Sequence, residues 1–346
     1  MDLDSICNAT QVYNFTQKDV AIYMYTDFVA AIVIGIMPCI LVFGLISNLS
    51  FLLVVHRVKH MRTVTNYLLL QLALTDIVNL VVSIGERVWR YISSPVTFDQ
   101  RAEGLVPGCI LLPFLKAMSK YGSLAFLTLV TLEMYLAICK PIKHRSITTR
   151  SLTIKLTAAC WAIATFVSVL RIPSHCVFKQ FCVIWPTSRE YQHLPNVVGN
   201  CVGVSDSVEN ASNAIQTTPF FVGLVVNTVL YARIMKILYR RRRVAASDQP
   251  IRFPVRARNQ VAHMLVINYL AWFLLVSPFE CLSLVSTFVT GRTQTFIDVT
   301  YLFRALTYLN SAVNPLIFYT VHPRYRKAFL KTCSQCFGYC RSDASQ

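Results

Sequence analysis

Residues 28–55 contain no charged side chain. Such a run exceeds the roughly 20 apolar residues needed to cross a bilayer core of about 30 Å, and in water its exposed apolar surface would have no cover. The same test along the 346 residues finds six more spans. They are 67–84, broken only by Asp76; 105–139, holding Lys116, Lys120 and Glu133; 156–170; 218–232; 264–289, with Glu280; and 299–321, with Arg304. A chain that is 55% hydrophobic and 14% charged fits this reading better than it fits a water-soluble domain. The predicted fold is an all-α membrane protein, a seven-transmembrane helix bundle with a short amphipathic eighth helix.

Lysine and arginine set the orientation, because they concentrate in cytoplasmic segments next to membrane spans. Of the 33 basic residues, 22 fall after span one, between spans three and four, within 233–258, or after span seven. The opposite loops hold Asp2, Asp4, Asp19, Asp27, Asp99, Glu103, Glu190, Asp206, Glu209 and Asp298. The N-terminus is therefore expected outside and the C-terminus inside, in a multi-pass plasma-membrane protein. The expected divisions are an extracellular tail over 1–26, the seven-span domain over 27–321, and an amphipathic helix with cytoplasmic tail over 322–346. The net charge of +17 then faces lipid headgroups, and no nucleic-acid partner is expected.

Sequons at Asn8, Asn14 and Asn210 fall on the expected outside and are candidate glycosylation sites, whereas the one at Asn48 lies within a span. The first 26 residues are polar, without a cleavable signal pattern, so span one is expected to act as signal anchor. Five of the twelve cysteines, Cys7, Cys109, Cys176, Cys182 and Cys201, lie outside, where disulfides form. Cys109 opens span three, and Cys201 lies in a long loop over about 172–216; a bridge between them would tie that loop across the bundle mouth, with Cys182 the rival partner. A second bridge from Cys7 to Cys176 or Cys182, or free thiols, remains open. Cys333, Cys336 and Cys340 follow an amphipathic stretch and are candidate palmitoylation sites; no metal site is expected.

Polar residues inside a bilayer are costly and mark function. A lower layer of Asn48, Asp76, Ser123, Asn310, Ser311 and Asn314 would surround a carboxylate at mid-depth, which calls for a proton or a cation such as Na⁺. An upper layer of Glu86, Lys116, Lys120, Glu280 and Arg304, joined by Tyr308 one turn beyond Arg304, would line a ligand cavity. Arg87, Arg90 and Arg171 are expected to snorkel at the rim. Membrane-enzyme motifs such as His-Glu-x-x-His, Gly-x-Ser-x-Gly or a phosphate loop are absent, and neither transporter repeats nor a pore-lining series is visible.

Several short motifs follow one another along the chain: Gly-Leu-Ile-Ser-Asn ending at Asn48, Leu-Ala-Leu-Thr-Asp ending at Asp76, Cys109, Trp161, Asn310-Ser311-Ala312-Val313-Asn314-Pro315, and the eighth-helix stretch from His322. In order and spacing they resemble the rhodopsin-like family of G-protein-coupled receptors, in particular its peptide receptors. The resemblance implies a receptor, not an enzyme, with a heterotrimeric G protein as partner. It also implies an allosteric sodium ion at Asp76, Ser123, Asn310 and Asn314, with no other cofactor, and a switch spread over Glu133, Met134, Tyr135, Tyr231, Trp272, Pro278 and Pro315. Departures fall on that switch: Met134 stands where the family has arginine, Gly223 for a proline, Val276 for a tryptophan and Phe318 for a tyrosine.

Lys116 stands where amine receptors carry an acid, and 296–320 holds no lysine for retinal. The mixed charges and an aromatic loop with Phe181, Trp185 and Tyr191 favour an extracellular (neuro)peptide. The alternatives are a receptor for a small anionic metabolite or lipid, suggested by Lys116, Lys120 and Arg304, and a non-coupling scavenger, suggested by Met134.

Overall fold

The computed structural model describes residues 12–147, 149–245, 253–286 and 293–343. Asn8 lies outside these residues, and the side chains of Asn210, Cys336 and Cys340 are also outside the described part. Seven long helices form the bundle: α1 Asp27–Arg57, α2 Val64–Ser93, α3 Gly104–Cys139, α4 Arg150–Leu170, α5 Asp206–Ala245, α6 Phe253–Val285 and α7 Gln294–Val321. An eighth, α8, covers Pro323–Asp343 and packs on α7 and α1.

Local chemistry starts several helices. Thr26, Thr63, Thr149 and Thr293 each turn a hydroxyl to a backbone amide three residues on, satisfying a donor that has no partner inside the helix. Thr26 also donates to Asp298 at 3.1 Å, tying the start of α1 to α7. Proline shapes the others. Pro107 lies in a π-helical opening of α3, Gly104–Leu111, and Pro219, Pro278 and Pro315 lie inside α5, α6 and α7, each removing one helical hydrogen bond.

By length and apolar content, α1 to α6 each qualify as membrane spans. The helix α7 is diluted by tyrosine, asparagine, serine and threonine, yet it is packed against α1, α2 and α6 and completes the bundle. Ile46, Phe166 and Leu274 are exposed, and so are Ile163 and Val225, so large apolar side chains face outward around the bundle. That is the distribution expected where lipid is the solvent.

Close helix contact is built on small residues. A Cβ on Gly44 would meet Leu80 Cδ1 at 2.5 Å and Ala312 Cβ at 3.0 Å, so α1, α2 and α7 touch there only because that side chain is missing. Next to it, Ser47 donates to the Ala312 carbonyl at 2.7 Å and Asn48 donates to the Ser311 carbonyl at 2.9 Å.

One end of the bundle carries a three-stranded sheet. The strands are β1 Val12–Asn14, β2 Val177–Ile184 and β3 Val197–Val202, with β1 parallel and β3 antiparallel to β2. The far edge of β3 is covered by the 94–103 loop, where Gln100 donates to the Gly199 carbonyl at 2.7 Å and Asp99 accepts from the Gly199 amide at 3.0 Å. Cys201 in β3 is bonded to Cys109 in α3, which decides between the two partners the sequence left open. Cys176 is a free thiol, whereas Cys182 is disulfide-bonded to a partner outside the described residues.

Two expectations are corrected. The loop placed over about 172–216 ends earlier, because α5 begins at Asp206. Arg90, expected to snorkel, is buried between Glu86 and Glu103, whose carboxylates replace water around its guanidinium.

Candidate functional site

Near the sheet end the bundle encloses a cavity of about 410 Å³. Glu86 from α2, Lys116 and Lys120 from α3, Glu280 from α6, and Arg304 and Tyr308 from α7 all line it. The two lysines are one helical turn apart and so share a face of α3, yet they engage opposite neighbours.

Lys116 reaches back to Glu86 on α2, and Glu86 is also paired with Arg90, four residues further along α2. Arg90 holds Glu103 through two parallel hydrogen bonds of 2.7 and 3.0 Å, the fork geometry suited to guanidinium and carboxylate. Lys120 reaches forward to Glu280 Oε1 on α6 at 2.6 Å. Glu280 is 1% exposed, and its Oε2 has no donor among the described residues.

Three guanidinium groups of the cavity have no carboxylate partner among the described residues. Arg304 lies over the Phe279 ring at 5.0 Å, Arg87 over the Tyr301 ring at 5.7 Å, and Arg171 donates to Gln216 at 2.6 Å and to Ser212 at 3.3 Å. The cavity is thus electropositive after its internal pairs are formed. It offers donors at Arg304 and Arg87 and an open acceptor at Glu280.

His175, just past α4, also lines the cavity. Burial, reinforced by the charges of Arg171 and Lys116, pushes its pKa down to about 4, so the imidazole is neutral. In the sheet-end loop, burial alone would raise the Asp99 carboxyl. Hydrogen bonds from Arg101 and from the Gly199 and Arg101 amides outweigh it and hold that pKa below the ordinary value. Neither group stood out in the sequence. Arg90 was visible there through its i, i+4 spacing from Glu86, but nothing announced Glu103 as its second partner.

Below the cavity, Asp76 accepts from Asn314 at 2.7 Å and from Ser123 at 3.3 Å. Asn310 lines the cavity with a buried Oδ1 that has no partner among the described residues, and Ser311 is engaged by Asn79 at 3.2 Å. The structure brings Asp76, Ser123 and Asn314 into hydrogen-bond contact, whereas Asn310 makes no hydrogen bond to the carboxylate among the described contacts.

Lower still, the switch residues lie in an apolar setting. Met134 is buried in the largest core cluster together with Ile138, Tyr231, Ile234, Met264 and Leu265. Its neighbour Glu133 accepts from Thr65 at 3.0 Å and lies 3.1 Å from the His144 ring, so this carboxylate is held from α2 and from the connection after α3. Tyr135 packs, half-buried, against the same cluster.

Phe220, Trp272, Tyr269 and Tyr231 form a continuous aromatic column between α5 and α6, with successive ring centres 5.1, 5.7 and 4.9 Å apart. Tyr231 shares a 3.0 Å hydrogen bond with Thr131 on α3, and Tyr269 one of 2.6 Å with Thr228 on α5. Gly223 lets Leu124 of α3 lie against α5, where a Cβ would meet Leu124 Cδ1 at 2.7 Å. Phe318 fills the interior against Phe51, while Tyr319, one residue later, turns to Ser50 and to the Phe329 ring of α8.

Comparison with known proteins agrees with this geometry. The family profile described as 7 transmembrane receptor (rhodopsin family) matches residues 47–318. The thyrotropin-releasing hormone receptor of Mus musculus is 27% identical, over 96% of this chain and 86% of its own length. Neuromedin-U receptor 2 of Mus musculus is 26% identical over 87% of this chain and 75% of its own, and the growth hormone secretagogue receptor type 1 of Mus musculus 25% over 85% and 79%. With the matched region running from within α1 into the last turn of α7, the chain belongs to the rhodopsin family of seven-transmembrane receptors and is a receptor, not an enzyme.

Proposed function

We propose that the protein is a plasma-membrane receptor, N-terminus outside, that binds an extracellular peptide in the charged cavity and activates a heterotrimeric G protein. The observation that carries the ligand class is the cavity's unmatched chemistry: guanidinium donors at Arg304 and Arg87 beside an open Glu280 oxygen. A ligand that fills both needs carries acceptors and a basic or N–H group within one small volume, as a peptide does. Relatives named for a releasing hormone and a neuromedin support the reading.

In this reading Glu86, Lys116, Lys120, Glu280, Arg304 and Tyr308 form the binding set. The proline at 278 leaves α6 with a missing hydrogen bond, around which its inner half swings outward to open a partner site. Asp76, Ser123 and Asn310 present oxygens suited to a sodium ion. Asn314 now offers its amide nitrogen to Asp76, so its oxygen joins only after the amide turns over. Glycans at Asn8, Asn14 and Asn210 and palmitate at Cys333, Cys336 and Cys340 belong to the same reading, with α8 lying on the inner leaflet.

Two experiments test it. Charge reversal at Glu280 and at Lys116, followed by binding of a basic peptide and of a small organic anion, separates the ligand classes. Loss of peptide affinity through Glu280 is expected; loss of anion affinity through Lys116 alone would favour the metabolite reading. Ligand-dependent nucleotide exchange on purified G proteins tests coupling. The buried, uncharged Met134 is the specific observation behind a second reading, a receptor that binds without coupling, and no exchange with any G-protein class would establish it.

A further inference from the structure

The two lysines of α3 do different work, because the helices they reach differ in what else holds them. On the α2 side, the Lys116–Glu86 pair is one bond in a chain that continues through Arg90 to Glu103. Polar contacts lower down add to it, with Ser123 meeting Asp76 and Thr65 meeting Glu133. On the α6 side, the described polar contacts of α6 go to α5, through Tyr269 to Thr228 and Ser283 to Gln216, and to α3 through Lys120 and Glu280. That last pair therefore spans the gap between the helix that is anchored and the helix that has a proline break.

Its position relative to the break matters. Glu280 follows Pro278 by two residues, on the sheet side of it, and Val276 lies just on the other side, lining the same cavity. The short branched Val276 side chain has little reach across the cavity to transmit a ligand's position. The pair beside it has both the reach and the exposure to do so: the Lys120 side chain is 32% exposed toward the cavity, and the buried Glu280 still has an oxygen free.

We propose that Lys120 and Glu280 form a latch between α3 and α6 that an agonist opens by substitution. The inference rests on the reading of this cavity as the ligand site and of α6 as the moving helix. A ligand cation or N–H donor takes Glu280, and a ligand acceptor takes Lys120, so neither charge loses its partner; for Glu280, which is buried, an unpaired charge is strongly disfavoured. A ligand carrying only one of these groups occupies the cavity and leaves the latch shut. Binding and activation are thereby separable, because a ligand shifts a two-state equilibrium only by its differential affinity for the two states.

The test compares three forms of the full-length receptor in lipid nanodiscs: unmodified, doubly neutralised (Lys120→Met with Glu280→Gln) and charge-swapped (Lys120→Glu with Glu280→Lys). Double neutralisation removes the pair without stranding a charge, so folding is retained more readily than with either single change, and thermal unfolding checks it. Hydrogen exchange of the inner half of α6, residues 259–275, reads the latch without a G protein. The latch requires faster exchange there in the neutralised form, on the order of fivefold or more as for an ordinary coupling between sites, with the swapped form returning toward the unmodified rate. Unchanged exchange in the neutralised form overturns it, as does a swapped form as fast as the neutralised one.

Nucleotide exchange on purified G proteins is measured alongside. Faster α6 exchange without nucleotide exchange upholds the latch and counts against coupling. Nucleotide exchange that rises on neutralisation while α6 stays unchanged overturns the latch and leaves coupling standing.

Discussion

Around the cavity, α3 meets its neighbours through charges; at the level of Met134 the same helix meets α5 and α6 chiefly through apolar and aromatic side chains, with Glu133 turned to α2. Lys116 and Lys120 each have one assigned carboxylate, so displacing a helix there breaks a specific bond and leaves a buried carboxylate without its lysine. The side chains of Met134 and Ile138 pack without a charged partner, and the specific bonds near them are neutral or to backbone, Thr131 to Tyr231 at 3.0 Å and Arg241 to the Ile138 carbonyl at 2.9 Å. Dispersion contacts are individually weak and tolerate exchange of partners, so the interface below can repack where the interface above must switch. The upper region is held by particular partners, the lower by fit of shape.

The strongest way to break this contrast is to remove the carboxylate at the centre of the upper network. Glu86→Ala leaves Lys116 without its partner and Arg90 with Glu103 alone. The receptor should lose about 3–5 kcal/mol of stability, the usual consequence of an uncompensated buried charge, measured as thermal unfolding of purified receptor. A loss below 1 kcal/mol would mean that water reaches this region freely.

In the lower region, the two substitutions Met134→Gln and Met134→Leu should separate. Glutamine buries an amide without a partner and should cost about 1–3 kcal/mol, whereas leucine keeps volume and apolarity and should cost less than about 1.5 kcal/mol. Equal costs would show that Met134 is not held by packing.

A smaller effect should come from Tyr231→Phe, which removes the hydroxyl shared with Thr131 but keeps the ring in its column. About 1 kcal/mol is expected, and a double-mutant cycle with Thr131→Val measures that bond by itself. Interaction energy near zero would locate the hydroxyl's value elsewhere.

The last effect is absent at neutral pH and appears only on acidification. An unfolded histidine titrates near 6.5, whereas folded His175 resists a proton down to about 4. Between those values the unfolded chain binds the proton that the folded chain refuses, so stability is lost as pH falls from 6.5 toward 4. The variant His175→Asn should show a shallower loss over that window, and an unchanged slope would exclude His175 as its source.

The sequence made the spans legible because bilayer crossing is a local requirement, met residue by residue. It also placed Lys116 and Lys120 on one face of α3 from their spacing, and grouped the polar residues around Asp76. Which lysine takes which carboxylate was not legible, since Glu86 and Glu280 belong to different helices and the choice depends on how those helices pack. Nor was β1, three exposed residues whose strand conformation exists only through the neighbouring β2. Arg90 was misplaced for a related reason: a rim position suggests water, but Glu103 arrives from the loop and takes water's part.

The ring column between α5 and α6 constrains how any opening proceeds. With Phe220, Trp272, Tyr269 and Tyr231 in contact, and Thr228 bonded to Tyr269, the inner halves of these helices are bolted together like two leaves of one door. The swing proposed for α6 about Pro278 would either carry α5 along, shearing it past Leu124 at the smooth patch left by Gly223, or first prise the rings apart.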